Sequence, residues 1–314
     1  MPATDSDPED AITKEEIAGT ASTPTDGTST GVSQGTKRNA CKQCPLSHST
    51  HIPYATLNVQ VTELMSPKPK AAKEDEHPKT LASTRSPLTR SFKQRDGLGA
   101  YTHDPTSFPP SQIIYHNADF VAINDLYPKS TVHTLLLPRD PVRSRLHPFD
   151  AFDDPSFLAS VRAETQKLKH LVAKELQRRY GRFSAKDQAR EAVLNGEVEL
   201  EDGAELPKGR DWEAELLVGV HAHPSMNDLH VHVLAPDMVS ECMRHKKHYN
   251  SFNTPFLVDV EDFPLAEDDP RRHPGKEGWI HGPLICWRCG KDFGVSFKQL
   301  KEHLNVEFEQ WKKE

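Results

Sequence analysis

Residues 228–234 read Asp-Leu-His-Val-His-Val-Leu, and the alternation of polar and apolar residues in this stretch predicts a β-strand. Side chains two residues apart share one face of a strand, with Cβ atoms about 6–7 Å apart. The imidazoles of His230 and His232 are therefore expected to lie side by side, close enough for one phosphate group to contact both. The apolar residues between and beside them are expected to fill the opposite face.

A third histidine is predicted to reach the same place. His221 precedes His230 by nine residues, and the intervening Pro-Ser-Met-Asn segment is long enough for a turn that brings the chain back. The hydroxyl of Ser225 and the neighbouring amides in that turn suit phosphate oxygens. Because a neutral histidine is a competent nucleophile near pH 7, this group favours displacement at phosphorus.

Two other interpretations of the histidines stay open on spacing alone, namely a metal site and a satisfied pair of core side chains. A hydrolytic metal centre usually has several carboxylate ligands, and Asp228 is the one acidic residue in this stretch. The shortage of carboxylates makes the metal interpretation weaker.

The surrounding sequence predicts an α+β fold, in which an antiparallel sheet carries one long packed helix. Apolar residues at helical spacing predict an amphipathic helix over residues 155–180. The charged, glycine-containing residues 183–210 are interpreted as a surface insertion. Strands are expected at residues 113–115, 120–123, 132–137, 213–220 and 229–234.

The N-terminal residues 1–85 are rich in Thr, Ser, Pro, Asp and Lys, and hold few residues that form cores. We expect a disordered tail there, because so little apolar burial cannot offset the entropy of ordering the chain. Within it, Cys41, Cys44, His48 and His51 are ligand types that suit zinc, and a flexible polar segment is the alternative.

Composition limits the classes of function. The net charge of −7 excludes a uniformly basic nucleic-acid binder, so contacts with nucleic acid need local basic patches. No stretch has the apolar length of a membrane span, and the acidic N-terminus does not read as a secretory signal. Four of the five cysteines form two Cys-x₂-Cys pairs, which indicates metal binding in a reducing compartment.

The C-terminal residues have the spacing of a small zinc finger. Cys286-Trp-Arg-Cys289 is followed by Phe293, Leu300 and His303, close to a ββα finger. Glu307 lies one helical turn after His303, on the same face. The sequence therefore predicts structural Zn²⁺ held by Cys286, Cys289, His303 and Glu307. A three-ligand site closed by water is the alternative.

Two groups of basic residues are candidates for DNA contacts. Arg244, Lys246, Lys247 and His248 follow the histidine strand, and Lys298 and Lys301 lie in the predicted helix of the finger. A charged loop and a solvated basic face are the alternatives.

These motifs together carry a family resemblance. Residues 228–234 resemble the histidine-triad signature His-φ-His-φ-His-φ-φ, where φ is apolar. The preceding Pro-Ser-Met-Asn, the segment His-Lys-Lys-His-Tyr-Asn-Ser-Phe-Asn at 245–253, and Asn-Asp-Leu-Tyr-Pro-Lys-Ser at 124–130 followed by His133 are similar to the aprataxin branch. The resemblance spans about residues 90–314. A forkhead-associated domain, present in some aprataxins, is not recognisable, so the fungal-type architecture fits better.

One position departs from the family pattern. Asp228 stands where the first histidine of the triad is expected. In the family that position supports the other histidines. The side chain of an aspartate can accept a hydrogen bond and orient an imidazole, so activity need not be lost, but the surroundings of the histidines must differ from those in the family.

The resemblance implies a role for each candidate residue. His230 attacks the α-phosphorus of an adenylate to give an adenylyl-histidine, His232 donates to the non-bridging oxygens, and His221 protonates the leaving group or helps to recruit water. Ser225 holds the phosphate, Asp125 receives the ribose hydroxyls and Lys129 lies near the phosphate. Without the resemblance, Asp125 reads as a turn residue and Lys129 as a solvated charge.

The implied substrate is DNA with a 5′-adenylate, the dead-end product of abortive ligation, and the products are AMP and a 5′-phosphate end. No catalytic metal is expected, because the phosphate leaving group is already good. We expect a monomer that acts in single-strand break repair in the nucleus, with the cytoplasm open as a second location. The alternatives are a general histidine-triad hydrolase of small nucleotides or phosphoramidates, and a non-catalytic zinc-finger protein that binds DNA ends.

The resemblance also bears on the start of the folded region. Phe92, Leu98 and Tyr101 are predicted to share one face of a short helix. In the family a helix here wedges against the exposed base pair at a DNA end, whereas a helix packed on the core explains the same spacing. The predicted division is a catalytic domain over 86–262, a connector over 263–280 and the finger over 281–314.

Overall fold

A computed structural model describes residues 94–314 of the chain. The predicted tail over 1–85, the residues Cys41, Cys44, His48 and His51, and Phe92 lie outside the described residues, and what the sequence predicts of them stays a prediction.

The centre of the fold is a six-stranded sheet in which every pair of neighbours is antiparallel. The strands are β1 Ile113–His116, β2 Phe120–Asn124, β3 His133–Pro138, β4 Leu217–His221, β5 Val231–Leu234 and β6 Leu257–Val258. Their order across the sheet is β1-β2-β3-β5-β4-β6. The α+β fold is thereby confirmed.

The five strands predicted from sequence all form, with different ends. Residues 213–216 make a turn in which the Leu216 amide donates to the Glu213 carbonyl, so β4 begins only at Leu217. His230 stands one residue before β5. Strand β6 was not predicted, because two residues are too few to show an alternation.

Strand β5 lies in the interior of the sheet, between β3 and β4. His232 is opposite Leu135 of β3 on one side and opposite Gly219 of β4 on the other. This double pairing fixes the backbone position of His232.

Seven helices accompany the sheet in the described range. They are α1 Gly99–His103, α2 Pro148–Ala151, α3 Pro155–Tyr180, α4 Gln188–Leu194, α5 Lys246–Phe252, α6 Pro274–Glu277 and α7 Phe297–Trp311. Short 3₁₀ turns occur at Gln94–Asp96, Pro105–Ser107, Arg143–Arg145, Gly181–Phe183, Val260–Asp262, Pro270–Arg272 and Trp279–His281. No helix among the described residues is both long and apolar enough to cross a bilayer.

Helix α3 has the bounds that its sequence predicted. The Asp154 carboxylate accepts the amides of Ser156 and Phe157, and Pro155 occupies the first helical turn, so both N-terminal signals are met. Its apolar side packs on the sheet through Phe157, Leu158, Val161, Leu168, Val172 and Leu176.

Helix α1 and the preceding Leu98 pack on a second cluster of sheet residues, separate from the cluster that contacts α3. Leu98 and Tyr101 are buried with Val121, Ile123 and Leu135. For Leu98 and Tyr101, packing on the core is therefore the explanation that the structure supports, and neither side chain is exposed for a wedge at a DNA end.

The interpretation of residues 183–210 as a surface insertion is wrong at both ends of the segment. Asp187 is completely buried, and its carboxylate accepts the Arg210 amide at 2.7 Å and the Trp212 indole N–H at 2.8 Å. Arg210 in turn donates to the Trp311 carbonyl at 2.6 Å and stacks on the rings of Trp212 and Trp311. The insertion thus holds the end of α7 against the main core.

The finger is simpler than a full ββα unit. Its expected pair of strands is reduced to an isolated bridge between Ile285 and Asp292, which precedes α7. Trp311 belongs to the main core, with Trp287 and Phe308 packed against it. The finger and the sheet therefore share one apolar interior.

Replacement of Asp187 by alanine tests the anchoring of the insertion. We expect Asp187→Ala to lower the free energy of unfolding by about 2–4 kcal/mol, because two buried donors lose their acceptor. Urea denaturation at saturating zinc measures the effect. Asp202→Ala, at an exposed position in the same insertion, should change stability by no more than about 0.5 kcal/mol. A loss for Asp187→Ala as small as that of the control would contradict the anchoring role.

Candidate active site

The structure brings the three candidate histidines together. His221 ends β4, His230 stands before β5 and His232 lies within β5, and all three are buried. The ring centroids are 4.5 Å apart for His221 and His232, and 4.8 Å apart for His230 and His232. One phosphate group can therefore contact all three.

The main chain sets the tautomer of His230. Its Nδ1 lies 2.7 Å from the carbonyl oxygen of Asp228, and a carbonyl can only accept, so Nδ1 carries the proton. The lone pair of the neutral ring is consequently on Nε2. This is the tautomer that a nucleophile needs.

For His230, the orienting role expected of the Asp228 side chain is taken by the main-chain carbonyl of the same residue. The Asp228 carboxylate lies instead 3.8 Å from the guanidinium of Arg145, which also contacts Asp96 at 2.6 Å. Asn227 donates to Asp96 at 3.0 Å. A backbone acceptor is available whatever side chain residue 228 carries, so the departure from histidine leaves His230 oriented.

His133 is a buried histidine of the site to which the sequence analysis assigned no role. Its Nδ1 accepts the Lys129 amide at 3.1 Å, so its proton is on Nε2, which lies 2.9 Å from Nδ1 of His232. His232 therefore accepts at Nδ1 and carries its own proton on Nε2. The signal was present in the sequence, since His133 follows Lys129 by four residues in the quoted motif.

Two ring nitrogens of the three candidate histidines are buried without a hydrogen-bond partner among the described residues. They are Nε2 of His232 and Nε2 of His221. An unpaired buried donor is costly, and the oxygens of a bound phosphate would pair with it.

Burial keeps the histidines neutral at pH 7. It lowers the pKa of His230, against the opposing effects of the Asp228 carbonyl and the Asp125 carboxylate. Burial, followed by repulsion from neighbouring imidazoles and Lys129, holds the pKa of His221 and His232 well below 6.5. Burial lowers the pKa of His133 to about 4.

An aromatic ring covers the histidines. The centroid of Phe252 lies 4.7 Å from that of His221, 5.0 Å from His232 and 5.4 Å from His133. This ring, on α5, displaces water from the imidazoles and contributes to the burial that lowers their pKa values.

Two of the predicted phosphate and ribose residues, Lys129 and Asp125, lie beside the histidines. Ser225 and Lys129 are both buried, which does not fit a solvated surface lysine. The Lys129 ammonium donates to the Tyr127 carbonyl at 2.9 Å, and its charge acts on the neighbouring imidazoles. Asp125 accepts the Tyr127 amide at 2.9 Å and lies 3.3 Å from Nδ1 of His133, so it is a turn residue that also faces the site.

The basic run after β5 does not lie on one surface. Arg244 is exposed and Lys246 and Lys247 are half-buried, whereas His248 is buried and its charge acts on His221. The interpretation of His248 as part of an exposed DNA-contacting face is therefore wrong, because its side chain points into the protein.

Helix α5 instead connects the histidines to the finger. Tyr249 donates to the Ile285 carbonyl at 2.8 Å and accepts the Trp287 amide at 2.9 Å. The Asn253 amide group donates to the same Ile285 carbonyl at 2.8 Å. The helix that carries Phe252 thus also holds the loop that bears the first finger cysteine.

The four predicted zinc ligands converge. One ligand atom from each of Cys286, Cys289, His303 and Glu307 lies within 4.8 Å of the others. Cys289 Sγ is 3.1 Å from His303 Nε2, which is 3.2 Å from Glu307 Oε1. Two thiols, an imidazole and a carboxylate are ligands that zinc accepts in structural sites.

A second group with metal-binding side chains is Asp125, His133 and His232, whose ligand atoms also lie within 4.8 Å of one another. There the two imidazoles are hydrogen-bonded to each other, so a metal ion would have to break that bond.

Comparison with known proteins matches both parts of the chain. The HIT domain model matches residues 108–239, and the model of the C2HE / C2H2 / C2HC zinc-binding finger matches residues 253–310. The fold and site thus define a histidine-triad protein with a C-terminal zinc finger.

Relatives narrow the family further. An aprataxin-like protein of Schizosaccharomyces pombe is 33% identical over 221 residues, which cover 69% of this chain and 82% of that protein. One from Saccharomyces cerevisiae is 29% identical over 220 residues, covering 68% and 95%. The crystal structure of the aprataxin ortholog Hnt3 in complex with DNA matches with a TM-score of 0.54 and 32% identity, covering 69% of this chain and 96% of that one. The chain belongs to the aprataxin-like family.

The depressed pKa of His133 makes stability depend on pH. The folded protein keeps this imidazole neutral, while the unfolded chain protonates it near pH 6.5. The contribution of His133 to the free energy of unfolding is therefore complete above pH 6.5, and it is lost as the pH falls towards 4. Between pH 7 and pH 5 we expect the wild type to lose about 1–2 kcal/mol more stability than His133→Gln, measured by urea denaturation at saturating zinc. His170→Gln, an exposed histidine on α3, should keep the wild-type pH dependence. Equal pH slopes for the wild type and His133→Gln would overturn the assignment.

Proposed function

We propose that the protein removes AMP from 5′-adenylated DNA ends left by abortive ligation, in single-strand break repair. The observation that carries the proposal is the proton arrangement of the site. His230 presents a lone pair at Nε2, and His232 presents an N–H at Nε2 beside it. A DNA substrate is supported by the structures of Hnt3 in complex with DNA and in complex with DNA and guanosine.

In the first step, the Nε2 lone pair of His230 forms a bond to the α-phosphorus of the adenylate. The bond from that phosphorus to the bridging oxygen breaks, and its electron pair leaves on the 5′-phosphate of the DNA. The N–H of His232 and the hydroxyl of Ser225 donate to the non-bridging oxygens as their charge grows. His221, which is neutral at pH 7, donates a hydrogen bond to the leaving phosphate, which departs as an anion without taking a full proton.

In the second step, water attacks the adenylyl-histidine. A bond forms between the water oxygen and phosphorus, the bond between nitrogen and phosphorus breaks, and its electron pair returns to Nε2 of His230. His221 accepts the proton of the water, and AMP is released. Asp125 binds the ribose hydroxyls during both steps. The scheme uses no catalytic metal, because the phosphate is a good leaving group.

DNA contacts follow from the distribution of basic side chains. Lys246 and Lys247 begin α5, the helix that also carries Phe252, and Arg244 precedes that helix. Lys298 and Lys301 lie on α7. We assign these residues to backbone phosphates on either side of the adenylated end. A monomer suffices for this arrangement, and the substrate makes the nucleus the expected location, with the cytoplasm as the alternative.

One assay tests the function against its alternatives. Wild-type protein and His230→Ala are incubated with 5′-adenylated nicked DNA and with a small adenosine phosphoramidate. We expect His230→Ala to release AMP from the DNA at least about 10³-fold more slowly, because it lacks the nucleophile. His170→Ala, which removes an exposed histidine, should match the wild type.

The other outcomes would contradict the proposal in different ways. AMP release from DNA that does not depend on His230 would remove the mechanism. Faster turnover of the small substrate than of the DNA would favour a general histidine-triad hydrolase. Tight binding of nicked DNA without AMP release would favour a non-catalytic end binder.

Salt dependence tests the DNA contacts of the finger. In Lys298→Gln/Lys301→Gln, the slope of log K against log salt for binding of nicked duplex should be smaller by about 2, because two phosphate contacts are lost. Lys169→Gln/Lys174→Gln removes the same charge from α3 and should keep the wild-type slope. An equal change in both double variants would show a general charge effect rather than specific contacts.

A further inference from the structure

The carboxylate of Glu307 offers its two oxygens to different partners. Oε1 lies 3.2 Å from Nε2 of His303, within the group of zinc ligands. Oε2 lies 2.5 Å from Nη1 of Arg288. The side chain of Glu307 is largely buried, so it has little freedom to exchange these partners for water.

Arg288 is itself held in place. It stands between the ligands Cys286 and Cys289 in the sequence, on the loop in which the Gly290 amide donates to the Cys286 carbonyl at 3.0 Å. Its Nε donates to Glu314 Oε1 at 3.1 Å, and its Nη2 contacts the same carboxylate. The planar guanidinium therefore presents a fixed edge to Glu307.

The charge of the ligand set creates a requirement for such a partner. Two thiolates and one carboxylate carry three negative charges, against two positive charges on Zn²⁺. With a second histidine as the fourth ligand, the same site would be neutral. A guanidinium beside the carboxylate offsets the additional negative charge, which is most costly where water is partly excluded.

A carboxylate also needs orientation more than an imidazole does. It has two equivalent oxygens and can bind a metal through one or both, whereas the imidazole of a histidine offers a single nitrogen to one metal. Metal-ligating carboxylates are generally hydrogen-bonded by neighbouring groups that orient them.

We propose that Arg288 is the positioning residue that allows Glu307 to serve as the fourth zinc ligand. Its guanidinium occupies Oε2, so Oε1 alone faces the metal, and its charge compensates the carboxylate. Arg288 acts through Glu307 and does not contact the metal.

Zinc affinity of the full chain tests the proposal, measured by competition with a chromophoric chelator. Arg288→Gln should weaken zinc binding by about 10- to 100-fold, as expected for loss of a group that orients a ligand. Arg288→Lys keeps the positive charge but lacks the planar set of N–H donors, so its zinc affinity should lie between those of Arg288→Gln and the wild type. Lys291→Gln removes a cation from the same loop and should stay within about twofold of the wild type.

A double-mutant comparison separates this role from a merely structural one. In the background Glu307→His the fourth ligand is a neutral imidazole, so Arg288→Gln should change zinc affinity by less than about twofold. The visible absorption of the Co²⁺-substituted protein should change with Arg288→Gln in the wild-type background and not in Glu307→His. In Glu307→Gln, where the carboxylate charge is absent, the effect of Arg288→Gln should also shrink.

Two results would contradict this role of Arg288. Unchanged zinc affinity in Arg288→Gln would overturn the proposal. An equal loss in the wild-type, Glu307→His and Glu307→Gln backgrounds would overturn it too, because Arg288 would then act by holding Glu314 and the finger loop rather than by orienting Glu307.

Discussion

The hydrogen bond from Nδ1 of His230 to the carbonyl of Asp228 determines what the histidines can do. It leaves the lone pair of His230 on Nε2, and the Lys129 amide, acting through His133, places the proton of His232 on Nε2. Two main-chain groups thus give the neighbouring imidazoles complementary tautomers. Nε2 is unprotonated in His230 and protonated in His232. His133 and His232 lie on the paired strands β3 and β5, so the sheet fixes the relative position of these two rings.

Much of this arrangement is readable from sequence where the interactions are local. Helix α3 has the predicted bounds, because its capping aspartate, its first proline and its apolar spacing lie within the helix or beside it. The histidine spacing similarly predicts that His230 and His232 are neighbours. The zinc ligands are recognisable because one loop and one helix carry all four.

The wrong interpretations concern side chains whose partners are distant in sequence. Asp187 and His248 are polar residues in charged segments, which locally indicates exposure, yet both are buried by elements far along the chain. Leu98 and Tyr101 had two explanations, and only contacts with β2 and β3 distinguish them. The orienting role of the Asp228 carbonyl was missed because a backbone group leaves no mark in the residue type.

The stacking of Arg210 between Trp212 and Trp311 bears on the order of folding during synthesis. The hydrogen bond from Arg210 to the Trp311 carbonyl spans 101 positions, so the main core stays incomplete until the ribosome has released the end of α7. A chain translated without that helix would expose the apolar surface that Trp311 covers. Synthesis of the finger is therefore the event that completes the core around the sheet.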